Sequence, residues 1–284
     1  MIPAAFDYHR PATVDEALKL LVDLPDAKVL AGGHSLLPMM KLRLVTPTHL
    51  IDLGRVPGLR DIRLDGGAVA IGAMATHWAV ESADVVGRSA PLLAETAARV
   101  GDVQVRNVGT IGGNLAHADP AADYPAAMLA LDAELVAQSP RGRRTIAAAD
   151  FFTGLFATAL TSDELLVEIR IPVQRGGGAY LKFPHPASGF AVVGVAAIAG
   201  VSGGTVERVR VGITGVGPAA YRSGAVEGAL AGGPATPEAV GAAAEHAADG
   251  VDVNEDIFAP AEYRAHLARV FTRRALLAAF ERSR

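Results

Sequence analysis

The stretch Gly109-Thr110-Ile111-Gly112-Gly113-Asn114-Leu115-Ala116-His117-Ala118-Asp119-Pro120-Ala121-Ala122-Asp123-Tyr124-Pro125 decides how the rest of the chain is read. It gathers adjacent glycines, a threonine, an asparagine and a pair of aspartates into one loop. Paired glycines let a backbone come close to a ligand and take positive φ without penalty. Successive N–H groups in such a turn form an anion-binding nest. An apolar, helix-compatible run follows over 124–131, so the loop also feeds a helix N-terminus, where the dipole favours phosphate. A second stretch has the same character: Val29-Leu30-Ala31-Gly32-Gly33-His34-Ser35-Leu36. There a short apolar strand, 28–31, runs straight into Gly32-Gly33, and strand ends of this kind are where α/β layers place ligands. Together the two loops read as holding opposite parts of one phosphate-bearing cofactor. Two ordinary tight turns are the alternative that the residues alone leave open.

Composition narrows the classes. The chain has 284 residues, half of them hydrophobic and 20% charged, which supplies a sizeable core and argues against disorder. A net charge of −4 gives no reason to expect nucleic acid or an anionic membrane as partner. No window approaches the roughly 18 consecutive apolar residues that span a bilayer. The first ten residues lack the basic-then-apolar order of a signal peptide, so a cytoplasmic location is expected. There is no cysteine. That excludes disulfides, a cysteine nucleophile and any thiolate-held zinc or iron–sulfur cluster in this chain. Redox chemistry here would need an organic cofactor or a partner's redox centre.

Outward from the two loops, Thr13-Val14-Asp15-Glu16 reads as a capping box opening a helix that stops near Pro25. Residues 35–44 read as a short helix interrupted early by Pro38, and 49–53 as a strand. The texture changes near Pro57. Segments 59–64 and 68–73 flank Asp65-Gly66-Gly67, a hairpin signal. Helices are expected over 77–83 and 91–100. A second hairpin spans 134–138 and 143–147, and 164–171 reads as a strand. Gln174-Arg175-Gly176-Gly177-Gly178 looks like a linker. Beyond it come strands over 179–183, 190–201 and 205–214, then helices over 219–230, 237–248 and 260–282.

Other motifs have plain explanations. Gly215-Val216-Gly217-Pro218-Ala219-Ala220 fits the relaxed dinucleotide-binding pattern, but no second parallel strand follows, so a structural turn is expected. His117, Asp119 and Asp123 match no metal spacing and read as solvated loop side chains. His34-Ser35 lacks a nucleophile elbow. His185, between Pro184 and Pro186, reads as a loop residue. Arg264, Arg269, Arg273, Arg274 and Arg282 read as a solvated helix face.

Two motifs taken together carry a resemblance. Ala31-Gly32-Gly33-His34-Ser35-Leu36 is followed by Pro38-Met39-Met40-Lys41-Leu42-Arg43-Leu44, and Thr110-Ile111-Gly112-Gly113-Asn114 is followed by Asp119 and Asp123. In this order they resemble the FAD-binding medium subunit of molybdenum hydroxylases. That family includes aerobic carbon monoxide dehydrogenase and the flavin part of xanthine dehydrogenase. Ile2-Pro3, Phe6-Asp7-Tyr8 and Arg10-Pro11 resemble the carbon monoxide dehydrogenase branch.

The resemblance implies an α+β fold. Residues 1–175 would form the two-subdomain FAD-binding fold of the vanillyl-alcohol oxidase (PCMH) type, with subdomains of about 1–56 and 57–175. Residues 176–284 would form a small α+β C-terminal domain of antiparallel strands and helices. Residue by residue, it implies that Ala31, Gly32, Gly33, His34 and Ser35 and Thr110, Ile111, Gly112, Gly113 and Asn114 surround the FAD pyrophosphate, with Leu30 and Leu36 also among the cofactor-binding residues. Asp119 joins them, and Asp123 resembles an acidic contact on the adenosine side. Leu166 and Lys182 match positions near the isoalloxazine, with Phe190 at an aromatic position beside it. One departure stands out: Gly189 occupies the place of an acid before that aromatic, after the segment Phe183-Pro184-His185-Pro186. No side chain is expected in an obligate proton-transfer role.

The resemblance also implies partners. A small subunit with [2Fe–2S] clusters would deliver electrons, and a large subunit would carry the molybdenum (molybdopterin) cofactor, in a dimer of heterotrimers. Quinone, NAD or another acceptor would take the electrons, and a quinone acceptor implies weak membrane association. The other expectation kept open is a stand-alone flavin-dependent oxidoreductase of the same fold.

Overall fold

A computed structural model describes residues 1–283, and its chain begins with a small parallel sheet. Strands β1 (Asp7–His9), β2 (Ala27–Leu30) and β3 (His49–Asp52) lie in the order β1-β3-β2. Both pairings are parallel, so crossovers are required. Helices α1 (Val14–Asp23) and α2 (Leu36–Lys41) supply them. Thr13 caps α1, its Oγ1 accepting the Glu16 N–H at 3.1 Å. The Glu16 carboxylate reaches back to the Ala12 N–H at 2.7 Å, one residue outside the usual capping-box partner. Pro38 does not interrupt α2. It lies in the first turn, where no intrahelical N–H bond is needed.

The second sheet is antiparallel. Strands β4 (Ile62–Asp65) and β5 (Ala68–Gly72) form the hairpin expected at Gly66-Gly67, and β6 (Glu134–Ser139) and β7 (Gly142–Ala147) form the other. After the short pair β8 (Phe152–Gly154) and β9 (Ala157–Thr158), strand β10 (Leu165–Pro172) inserts between the hairpins. Its order is β4-β5-β10-β6-β7. The chain between hairpins is helical: α3 (His77–Ser82), α4 (Asp84–Ser89), α5 (Pro91–Arg99), α6 (Val103–Val108), α7 (Ile111–His117), α8 (Tyr124–Ala130), with the one-turn α9 (Ala148–Phe151) after β7. Leu93, Ile111, Leu115, Tyr124, Met128 and Ile169 bury their side chains in one shared core.

Strands β11 (Gly177–Pro184), β12 (Ala191–Ser202), β13 (Thr205–Thr214) and β14 (Tyr221–Arg222) make an antiparallel sheet in sequence order. Helices α10 (Gly224–Leu230), α11 (Pro237–Ala244) and the long α12 (Ala261–Arg282) complete the chain. Strand β12 is buried on both faces, which explains its unbroken apolar run. Ala196 and Ile198 join the core around α8, while Val195, Ala197 and Ala199 join the core under α12. The period-2 alternation of a strand thus splits one sequence between two cores.

Several sequence expectations need correction. Segment 111–117, expected as loop, is a helix, and 84–89 and 103–108 are further helices that no sequence signal marked. Asp102 and Thr110 start two of them, each side chain accepting N–H groups of the following turn. The glycine run at 176–178 is no flexible linker. Gly177 and Gly178 begin β11, and a Cβ at Gly177 would sit 2.0 Å from the Ala279 carbonyl oxygen of α12. The helix expected over 219–230 starts only at Gly224, because Tyr221 and Arg222 pair with Ile213 and Gly212. The helix expected to reach Ala248 ends at Ala244. The turn at Gly215 and Gly217 is structural, with the Gly215 N–H donating to the Pro120 carbonyl at 2.8 Å.

Candidate cofactor site

The first glycine loop leaves β2 and enters α2 within a few residues, and this abrupt reversal frees its backbone. The N–H groups of Gly32, Gly33, His34 and Ser35 have no acceptor among the described residues. Gly33 takes φ +74°, a left-handed conformation that lets the N–H row turn outward. The His34 ring folds back to the Gly32 carbonyl (Nδ1 to O, 3.1 Å). Four free donors on a half-exposed turn are what an oxyanion needs.

The second loop behaves differently. Residues 110–114 are the cap and first turn of α7, and their donors are used inside the fold. Ile111 N–H donates to Ala75 O at 3.0 Å, Gly112 N–H to Ala73 O at 2.8 Å, Asn114 N–H to Thr110 O at 3.0 Å, and Gly113 N–H to Thr110 Oγ1 at 3.1 Å. The glycines serve close approach, but to protein. A Cβ at Gly112 would lie 2.4 Å from Ala73 Cβ, and one at Gly32 would lie 2.5 Å from Val108 O and 2.7 Å from Gly109 Cα. The two glycine loops therefore touch each other backbone to backbone. This corrects the picture of two equivalent nests: the first loop offers the donors and the second forms the floor beneath them. At that floor Asn114 Oδ1 is buried without any donor. An orphaned buried acceptor is costly, and a bound molecule with a hydroxyl or N–H relieves it. The residues present therefore fit FAD.

A buried polar chain runs onward from the floor. His77, at the start of α3, lies under Gly109, and its Nδ1 is 3.2 Å from the Tyr124 hydroxyl. Burial holds the His77 pKa down at about 4, with the charges of His34 and Arg106 adding to the effect. Tyr124 opens α8 just after Asp123. The Asp123 carboxylate is buried, and burial raises its pKa although Lys182 and Tyr180 oppose the shift. The Tyr180 hydroxyl donates to Asp123 Oδ1 at 2.5 Å, and Lys182 Nζ lies 3.0 Å from Oδ1 and 3.1 Å from Oδ2.

Measured against expectation, Leu30 to Leu36 and Thr110 to Asn114 meet at one place. Asp119 is occupied locally, its Oδ1 accepting the Ala121 N–H at 2.8 Å. Asp123 is no solvated loop side chain: it faces Tyr180 and Lys182, both of its oxygens taken by this chain. Leu166 is buried beside a bulge in β10, in the core that α7 also joins. Phe190 stays exposed at the end of a turn closed by the His185 N–H to Phe190 O bond of 2.8 Å. The arginine face of α12 is only partly solvated. Arg264 is buried, donating to the carbonyls of Val192 at 2.8 Å and Gly215 at 3.0 Å.

Tyr180, His77 and Tyr124 escaped the sequence reading. Tyr180 stands two residues before Lys182 on one strand face, a spacing that points both side chains the same way and was available as a signal. His77 and Tyr124 carry no local mark; only the fold brings the first residue of α3 against the first residue of α8.

Comparison with known proteins accords with this geometry. Residues 4–174 match the model of the FAD binding domain in molybdopterin dehydrogenase. Residues 178–279 match the CO dehydrogenase flavoprotein C-terminal domain. The carbon monoxide dehydrogenase medium chain of Hydrogenophaga pseudoflava is 46% identical over 285 residues, covering 99% of each chain. The nicotine 6-hydroxylase medium subunit of Paenarthrobacter nicotinovorans is 36% identical over 279 residues, covering 98% of this chain and 99% of that one. Among solved structures, carbon monoxide dehydrogenase from H. pseudoflava lacking the Mo-pyranopterin moiety superposes with a TM-score of 0.97 at 47% identity, covering 99% of each chain.

Proposed function

The chain belongs to the FAD-binding medium-subunit family of molybdenum hydroxylase-type oxidoreductases, and from that premise we propose that it is the electron-relay subunit of such a complex. It would accept electrons from [2Fe–2S] clusters of a small subunit, the large subunit carrying the molybdenum cofactor, and pass them to quinone or NAD. FAD supplies the redox chemistry, which no side chain of this chain provides. The chain's own part is to bind and orient. The N–H row of Gly32 to Ser35 would donate to the pyrophosphate oxygens, Asn114 Oδ1 would accept a donor from the cofactor, and the buried chain from His77 to Lys182 leads from these loops to the turn that carries Phe190.

The observation that carries this reading is the row of four unpartnered backbone donors on the first loop, packed on a second glycine loop whose helix carries a buried oxygen without a donor, Asn114 Oδ1. The relatives add a second argument. Chains similar over nearly their whole length bear the names of carbon monoxide dehydrogenase and nicotine 6-hydroxylase. A chain shared between such different substrates serves a common step, and substrate choice belongs to the large subunit.

Affinity purification of this chain, followed by flavin, iron and molybdenum analysis, tests the reading. Stoichiometric FAD with co-purifying iron and molybdenum subunits is expected. A lone flavoprotein that turns over a substrate unaided would overturn the relay in favour of a self-sufficient oxidoreductase, and a flavin-free complex would overturn the FAD assignment.

A further inference from the structure

Lys182 was expected beside the flavin ring, yet its surroundings describe a different task. The side chain is 7% exposed. An ammonium has three protons to donate and no more. Lys182 Nζ has three acceptors at hydrogen-bonding distance: the Arg99 carbonyl at 2.6 Å, the Gly189 carbonyl at 2.9 Å and the Asp123 carboxylate at 3.0 Å. Nothing is left over for a ligand. The three acceptors come from separate parts of the fold, namely the end of α5, the turn after β11 and the start of α8. Tyr180, on the same strand, holds the Asp123 carboxylate in place.

The turn that Lys182 grips is built to present its carbonyl. The His185 N–H donates to Phe190 O at 2.8 Å and the Gly189 N–H to His185 O at 2.9 Å, so residues 185–190 close on themselves. Gly189 takes φ +72°. No atom lies within 4 Å of the point a Cβ would occupy there, so backbone conformation, not space, calls for glycine. At position 189 the chain thus offers the ammonium a backbone carbonyl and no side-chain acid. Beyond Phe190 the chain is anchored by the Ala191 N–H to Ala121 O bond of 3.1 Å. Between that anchor and β11, Lys182 ties the turn to the end of α5 and the head of α8, while on its other side the His185 ring packs on Phe258 at 4.7 Å between centroids.

We propose that Lys182 is a positioning residue, a latch that fixes the 185–190 turn, and with it Phe190, against the end of α5, and that it donates no hydrogen bond to the cofactor. Asp123 and Tyr180 are the seat of the latch. The importance of the latch for electron transfer rests on the FAD reading above; the latch itself does not.

Hydrogen exchange of the full-length chain, first without FAD, reads the latch directly. In Lys182→Met, exchange at the His185 and Gly189 amides rises by about tenfold or more, because a charge-assisted bond to the turn is gone. Tyr180→Phe gives a smaller rise at the same amides, and Lys182→Arg, which keeps donors, recovers part of the protection. Unchanged exchange in Lys182→Met overturns the latch; should that variant not fold, unchanged exchange in Tyr180→Phe does so. The assembled complex supplies the second readout. The latch predicts that Lys182→Met retains FAD while the visible circular dichroism of the bound flavin changes. Loss of FAD with the turn still protected would make Lys182 a flavin ligand and overturn the proposal. If the wild-type complex holds no FAD, the functional reading fails while the exchange arm still decides the latch.

Discussion

His77 shows how much one buried side chain can impose. Its pKa falls from 6.5 to about 4, chiefly through burial. The unfolded chain therefore binds a proton between those values that the folded chain refuses. Stability from this residue is fully present above pH 6.5 and is lost as pH falls towards 4. The linkage is worth about 3 kcal/mol at most. In His77→Gln this part of the acid sensitivity disappears, so variant and wild-type stabilities converge as pH falls from 6.5 to 4. Urea titrations across that window measure the difference; parallel curves would contradict the assignment. Residue 32 makes a second point. Gly32→Ala drives a Cβ to within 2.5 Å of Val108 O, and the expected cost is about 3 kcal/mol together with a fall in FAD content. The position of the glycines was legible in the sequence, but their use was not. A glycine shows that something comes close without showing what, and at Gly32 and Gly112 the close neighbour is another stretch of this chain.

Among the elements, α7 was the least legible. Its sequence Ile-Gly-Gly-Asn-Leu-Ala-His contains two residues that each cost a helix about 1 kcal/mol relative to alanine, so local propensity argues for a loop. Tertiary bonds override it: Ile111 and Gly112 donate to Ala75 and Ala73 just beyond the end of β5, and the Thr110 cap satisfies Gly113. Thr110→Ala removes that cap, and the expected loss is about 1 kcal/mol. Because α7 and the first loop share one crossing, the same variant lowers FAD affinity. Thermal unfolding with and without added FAD checks both effects, and an unchanged ligand-induced shift would separate the cap from the site. Where local and tertiary signals agree, elements read cleanly. The two hairpins, α1 with its cap and the long α12 all lie within a few residues of where periodicity and turn chemistry put them.

At the scale of the whole molecule, the question is what joins the C-terminal sheet to the FAD-binding part. Helix α8 lies between them. Its first residues complete the buried polar chain, and its body packs on β13. Thr214 Oγ1 donates towards the Pro120 and Ala122 carbonyls, both at 2.8 Å, just before α8 begins. Gly212 allows the contact: a Cβ there would stand 2.0 Å from the Ala126 carbonyl oxygen. Gly212→Ala therefore pushes α8 off the sheet and disturbs Asp123 and Tyr124 at its head. The expected result is about 3 kcal/mol of destabilisation and loss of FAD from a site in which residue 212 has no part. Gly228→Ala is the control. Residue 228 lies within α10 with nothing within 4 Å of a Cβ, so alanine there stabilises by up to about 1 kcal/mol. Melting temperatures and flavin content of the two variants should move in opposite directions for stability, and only Gly212→Ala should release flavin. If Gly212→Ala keeps its flavin, the two parts are coupled by something other than α8.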